Sequence, residues 1–271
     1  MKVSKKVENI TQSMTLALSA RAKQMKKEGI DVVGFGAGEP DFDTPGHIKD
    51  VAIKDIQEGF TKYTPASGIN ELKEAVCKKM KRDNGLDYTP KQVIVSPGAK
   101  YSLYIAMMTL CDQGDEVIIP SPYWLTYPEQ VKVAGGSPVF LKTGIETEFK
   151  ITPDRTAGLI LNSPSNPTGA FYSKEELKAL ADVLKDTNVV IVADEIYENL
   201  IYDDAEFISI AALCPELKDQ TVVINGVSKT YAMTGWRIGY TCGPENFIGA
   251  MGRLQSHSTS GPASFVQKAA A

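Results

Sequence analysis

Val189-Val190-Ile191-Val192-Ala193-Asp194-Glu195 is the stretch on which the fold of this chain turns. Five apolar residues with no polar residue alternating among them fit a strand covered on both faces, as in a parallel sheet held between helices. The abrupt change to two carboxylates marks the carboxyl end of that strand. Residues 93–96, 116–119, 138–141 and 159–161 read as strands upstream, and residues 221–224 as a strand downstream. Amphipathic stretches with helical spacing separate them, over residues 47–58, 69–84, 100–110, 127–134 and 174–185. Strands alternating with helices predict an α/β fold with a mostly parallel central sheet and helices on both faces. Ahead of this series, residues 18–27 read as a helix stopped by Gly29 and residues 30–35 as a short strand. Gly36-Ala-Gly-Glu-Pro-Asp-Phe-Asp-Thr-Pro45 reads as a loop, because two prolines and several turn formers break any periodicity.

Composition narrows the function. The 271 residues carry 29 basic and 33 acidic side chains, a net charge of −4, with no Lys/Arg block, so no electrostatic footprint for nucleic acid is present. No run of 18 apolar residues and no apolar stretch near Met1 occur, so no membrane span or secretory signal is expected and a cytoplasmic location is. Cys77, Cys111, Cys214 and Cys242 are scattered without a CxxC pair, and His47 and His257 are the only histidines. Neither a metal site nor a disulfide framework is expected.

In sheets of this kind ligands bind at the carboxyl ends of the strands, and the unusual residues lie there. Asp194-Glu195 follows one strand, Asn225-Gly-Val-Ser-Lys229 another, Asn162-Ser-Pro-Ser-Asn-Pro-Thr-Gly169 a third, and Ser96-Pro-Gly-Ala-Lys100 a fourth. Singly, such an Asp is most often a loop carboxylate, such a Lys a solvated charge and Gly98 a tight turn. Together they aim a carboxylate, an amine, an amide and a helix N-terminus at one crevice. A desolvated lysine loses its proton readily and forms a Schiff base with an aldehyde, which makes Lys229 a candidate nucleophile. An aldehyde cofactor that also uses a buried carboxylate is pyridoxal 5′-phosphate, whose pyridine nitrogen Asp194 would keep protonated. Its phosphate suits the N–H groups of Gly98-Ala99-Lys100 and the guanidinium of Arg237. Gly34-Phe-Gly-Ala-Gly38 is followed by Glu39-Pro40 and not by a helix, so the dinucleotide-binding fingerprint is not met.

Three stretches carry a resemblance: Asn162-Ser-Pro-Ser-Asn-Pro-Thr-Gly169, Ala193-Asp-Glu-Ile-Tyr197 and Ser228-Lys-Thr-Tyr-Ala-Met-Thr-Gly-Trp-Arg-Ile-Gly239. In this order they resemble the fold-type I pyridoxal phosphate aminotransferases, specifically the class-I aspartate/aromatic type. Gly36-Ala-Gly-Glu-Pro-Asp-Phe42, Tyr63-Thr-Pro-Ala-Ser-Gly68 and Ser121-Pro-Tyr-Trp124 match in position as well. The resemblance implies that Lys229 holds the cofactor as an internal aldimine and moves the proton at the substrate α-carbon. It implies that Asp194 pairs with the pyridinium, that Asn166 and Tyr197 bond its phenolic oxygen, and that Trp124 stacks on its ring. Gly38, Trp124 and Asn166 would meet the substrate. Tyr63 would reach the phosphate of a neighbouring subunit, which implies a homodimer. Gly226 stands where some relatives have a phosphate-binding serine, which leaves that contact to Ser228. An amino acid and a 2-oxo acid, aspartate or an aromatic amino acid with 2-oxoglutarate, are the implied substrates. A lyase or synthase of the same fold, or a cofactor-binding protein without catalysis, stays open.

Against the family, residues 1–45 correspond to the N-terminal arm and part of a small domain, and residues 46–271 to the cofactor-binding large domain. Relatives have an extra surface helix where this chain has only Asp154-Arg155 between Pro153 and Thr156. They also continue past Ala271 into a segment with the arginine that clamps the substrate carboxylate. The expectation is a chain with the rest of the small domain truncated. It would bind the cofactor with weakened or absent transamination and expose Phe265 and Val266.

Overall fold

The computed structural model describes residues 1–142, 156–203 and 205–271. Among these residues seven strands form one sheet: β1 (Val93–Ser96), β2 (Glu116–Ser121), β3 (Ser137–Lys142), β4 (Thr156–Asn162), β5 (Val190–Asp194), β6 (Thr221–Gly226) and β7 (Gly239–Cys242). Their order across the sheet is β1-β7-β6-β5-β4-β2-β3. The pairs from β6 to β3 are parallel, and β7 runs antiparallel between β1 and β6. The mostly parallel sheet expected from the apolar runs is therefore present. β7 is the strand that sequence patterning did not identify.

Alternate residues of each strand enter opposite cores, as the period of two requires. Ile94, Val117, Ile160, Val192 and Ile224 pack under α5 (Ala99–Leu110), α6 (Thr126–Ala134) and α9 (Glu245–Ser256). Val93, Val95, Val223 and Tyr240 pack on the other face with residues of α3 (Gly46–Gln57), α4 (Asn70–Asn84) and α10 (Ser264–Ala270). Beside them Ile118, Leu159, Leu161 and Ile191 pack with α7 (Lys174–Leu184) and α8 (Ile210–Leu213). Strands such as Val93–Ser96 and Thr221–Gly226 are buried at every position, which is why they read as unbroken apolar runs.

Two expectations need correction. Residues 30–35 form no strand: Val33 and Phe35 are exposed, and no strand of the described chain lies alongside to pair with them. Phe265 and Val266 are not left in solvent. Val266 is buried in the core with Ile48, Ile69 and Leu72, and Phe265 packs against that core, because α10 lies on α3. The N-terminal helix α2 (Met14–Lys27) starts earlier than residue 18, preceded by the short α1 (Lys5–Glu8). The surface helix noted as missing before Thr156 falls at residues 149–155, outside the described residues. No helix among the described residues is long and apolar enough to cross a membrane.

Candidate active site

Strand register brings the sequence-nominated loops to one edge of the sheet. Asn162 pairs with Asp194, and Asp194 with Ile224. Gly239 lies between Ser96 and Gly226 in the adjoining row. The loops after β1, β4, β5 and β6 therefore open side by side.

Asp194 is buried, and its two carboxylate oxygens accept from the Tyr127 hydroxyl at 2.7 Å and the Ile196 N–H at 3.3 Å. Burial pushes its carboxyl up to about 6, and both donors oppose that rise. Asn162 ties two loops together: its amide donates to the Asp194 carbonyl at 2.9 Å and accepts from the Asn166 N–H at 2.7 Å. The Asn166 amide in turn donates to the Tyr197 hydroxyl oxygen at 3.3 Å. Since that oxygen accepts, the Tyr197 proton is free for another acceptor. Burial, then the Asp194 charge, raises the Tyr197 phenol, which keeps it protonated. The Lys229 ammonium donates to the Gly38 carbonyl and lies 5.6 Å from the centre of the Tyr197 ring. Desolvation lowers its pKa, the Glu39 charge opposes that in part, and the Arg237 charge adds a smaller push downward.

An anion cradle lies at the turn from β1 into α5. Gly98 has φ +88° and ψ 153°, and a Cβ there would collide with the Arg237 guanidinium. Gly239 is equally constrained, since a Cβ on it would strike the backbone of Gly98 and Ala99. The Gly98 carbonyl takes the first helical bonds, from Tyr101 and Ser102, so the N–H groups of Ala99 and Lys100 precede the ladder at the positive end of the helix. Desolvation, then the Arg237 charge, depresses the Lys100 ammonium, so Lys100 and Lys229 both sense Arg237. The Arg237 guanidinium and the N–H groups that open α5 make a donor set that matches a phosphate monoester. With a primary amine on one side and a buried carboxylate on the other, these residues fit pyridoxal phosphate.

A family model described as aminotransferase class I and II matches residues 30–271. The chain belongs to that family. It is 57% identical over 278 residues to an aspartate aminotransferase of Geobacillus stearothermophilus, covering 100% of this chain and 71% of that protein. It is 52% identical to the aspartate aminotransferase of Bacillus subtilis, covering 98% of this chain and 70% of that one. Among solved structures, the aspartate aminotransferase of Thermus thermophilus with maleate superposes with a TM-score of 0.92 at 43% identity, over 99% of this chain and 72% of that one. The enzyme from Rhizobium meliloti gives a TM-score of 0.92 at 45% identity, covering 99% of this chain and 70% of that one. The protein is thus a pyridoxal phosphate-dependent aminotransferase with the fold-type I architecture.

In this aminotransferase, Asp194, Asn166, Tyr197, Lys229, Gly38, Gly98, Ala99 and Arg237 form one connected group. Trp124 meets the Tyr127 ring edge-on at 5.5 Å, and the Lys100 ammonium lies 4.7 Å from the centre of its indole. Ser228 is buried beside Lys229. Tyr63 stands fully exposed, outside that group. A serine has no room at Gly226, where a Cβ would lie 2.8 Å from the Ile238 carbonyl oxygen. Sequence reasoning missed Tyr127, which it placed only on a helix. It also missed Gln255 and Gln267, whose buried amides fasten residues 64–69: Gln255 donates to the Ala66 and Val95 carbonyls, and Gln267 bonds Thr64 and Ile69. For Tyr127 no signal existed, since an aromatic at the start of a helix reads as core. The two glutamines carry none.

Proposed function

We propose that this aminotransferase moves the amino group of aspartate or an aromatic amino acid to 2-oxoglutarate, with Lys229 as the residue that bonds the cofactor and carries the proton. The observation that carries the reading is the Lys229 amine with lowered pKa, at the same sheet edge as the buried Asp194 carboxylate and the Gly98–Arg237 cradle.

Bound pyridoxal phosphate supplies an aldehyde that an amine can attack and a ring that withdraws electrons. Lys229 Nζ would be the amine that holds the aldehyde carbon, with loss of water, favoured by the desolvation that disfavours its ammonium form. As a free amine the same Nζ would be the base that holds the proton taken from the substrate α-carbon. With a pKa of about 6, Asp194 is ionised above neutrality and would pair with the protonated ring nitrogen. The Tyr197 hydroxyl and the Asn166 amide, themselves hydrogen-bonded, would donate hydrogen bonds to the phenolic oxygen. The Ala99 and Lys100 N–H groups, Ser228 and Arg237 hold the phosphate. Trp124 offers its indole face to the ring, and Gly38 and Asn166 receive the substrate carboxylate. The Lys100 ammonium adds positive charge that suits a dicarboxylate such as aspartate, the substrate in the names of the relatives. Tyr63, exposed and fastened through its loop, reaches the phosphate of a second copy in a homodimer.

The test is an absorbance spectrum with pyridoxal phosphate, before and after L-aspartate, beside Lys229→Ala. A band that needs Lys229 and shifts to shorter wavelength on adding aspartate supports the reading. Release of ammonia with the keto acid would replace it with a lyase, and a band indifferent to Lys229 would remove Lys229 from its role.

A further inference from the structure

Tyr127 joins two groups of the site that sequence treats as separate. Its hydroxyl donates to Asp194 Oδ2 at 2.7 Å, and its ring receives the Trp124 indole edge-to-face, with centroids 5.5 Å apart and planes at 87°. The side chain is itself buried, 2% exposed, among Val131, Ile160 and Val192. We propose that Tyr127 is a positioning residue of the aminotransferase site, whose hydroxyl keeps the Asp194 carboxylate ionised while its ring fixes the plane of Trp124. The inference rests on the reading of Asp194 as the carboxylate that faces the cofactor nitrogen.

A rigid aromatic on α6 suits both tasks. The helix is anchored by the buried Val131 and Ala134 and by Gln130, whose amide donates to the Lys100 carbonyl at 2.9 Å. Tyr127 therefore has little freedom to follow a moving carboxylate, and the carboxylate must meet it. Asp194 sits where desolvation favours its neutral form, and a neutral acid is no counterion for a pyridinium. A phenol donor reverses part of that penalty without adding a charge. The other titratable groups facing Asp194 are Tyr197 and Glu195, both in the loop after its own strand. β4 contributes the Asn162 amide, β6 contributes Ile224, and Lys229 directs its ammonium to Gly38, so Tyr127 is the side-chain donor that answers the carboxylate.

The phenol and ring roles separate by substitution. Tyr127→Phe keeps the ring and removes the donor; Tyr127→Leu removes both. A fluorotyrosine at 127 keeps the shape and strengthens the donor. The carboxyl titration of Asp194 is followed by infrared difference spectroscopy of the full chain, its band assigned by loss in Asp194→Asn. The Phe variant is expected to move the midpoint up by about one pH unit, the scale of one hydrogen bond to a charged group. The fluorotyrosine variant moves it down. Trp124 emission, isolated in a Trp236→Phe background, is expected to change in the Leu variant and to stay in the Phe variant. Pyridoxal phosphate affinity then falls in the Phe variant by up to about tenfold between the old and new midpoints, and is unchanged well above both.

A midpoint indifferent to both the Phe and the fluorotyrosine substitutions overturns the proposal, as does Trp124 emission indifferent to loss of the ring. If Asp194→Asn binds the cofactor as tightly as the unsubstituted chain while the midpoint still follows Tyr127, the cofactor reading of Asp194 fails and the Tyr127–Asp194 coupling stands.

Discussion

The Arg237 guanidinium packs against the backbone of Gly98, occupying the space that any side chain at position 98 would need. Gly98 also holds φ +88° with ψ 153°, a conformation open essentially to glycine alone. Gly98→Ala is therefore expected to cost about 1–3 kcal/mol in strain and to push Arg237 out of the cradle. Pyridoxal phosphate affinity should fall at least about tenfold, the equivalent of one lost charge-assisted hydrogen bond. Gly114→Ala is the control, because Gly114 has φ +100° but open space around its missing Cβ. It should lose stability in urea unfolding and keep its affinity.

Lys79 and Glu198 form an ion pair with side chains only 14% and 4% exposed, and Glu198 also accepts from the Asn84 amide at 2.7 Å. The pair ties α4 to the loop that carries Tyr197. Lys79→Met leaves the Glu198 charge buried without its cation, so a loss of about 3–5 kcal/mol is expected in urea unfolding. The double variant Lys79→Met with Glu198→Met should recover a large part of it.

Helix α7 opens on a reciprocal cap: the Ser173 hydroxyl accepts from the Glu176 N–H at 3.2 Å, and the Glu176 carboxylate accepts from the Ser173 N–H at 2.8 Å. Ser173→Ala should destabilise by about 1 kcal/mol and lower Tm by about 2–4 °C. Cofactor affinity should not change, since none of the site residues lies on α7. Calorimetry and an absorbance titration on the same sample check both halves.

Burial pushes the Glu195 carboxyl up to about 8, opposed by the Ser209 hydroxyl that donates to it at 2.6 Å. The folded chain thus holds a proton that the unfolded chain has released, and stability falls as pH rises from the unfolded value through about 8. Asp194, raised to about 6, adds to this slope at lower pH. Between pH 6.5 and 7 the slope should approach about 1.4 kcal/mol per pH unit, the linkage of one proton, and fall to about half of that at pH 8. Urea unfolding across that range should show the decline, and Glu195→Gln, which cannot ionise, should flatten it.

Much of the sheet was legible because burial on both faces leaves an unbroken apolar signal, as in Val93–Ser96 and Thr221–Gly226. β7 was not, since Gly239-Tyr-Thr-Cys242 has neither an apolar run nor a clean alternation and pairs with strands far away in sequence. Residues 30–35 failed in the opposite sense: apolar residues with strand propensity, but no neighbour to pair with. Among site residues, Lys229 and Asp194 stood out as polar residues following apolar runs and Arg237 as a guanidinium suited to a phosphate, whereas Asn166 and Tyr197 came only with the family resemblance. Tyr127 looked like a core aromatic, and its hydroxyl reveals its place only beside Asp194.

The sequence by itself determined the α/β class, the strand-end loops and the residue types available to hold a phosphate, an aldehyde and a ring nitrogen. Those follow from local pattern, because apolar period and motif spacing are properties of neighbouring residues. Tertiary structure alone decided which of them meet. Asn162, Asp194 and Ile224 share one row through strand register, Arg237 comes to rest on Gly98, Tyr127 reaches Asp194, and Gln255 and Gln267 fasten the loop that follows Tyr63. Each of these contacts joins residues distant in the chain, and their geometry is set by packing and register, which no local pattern encodes.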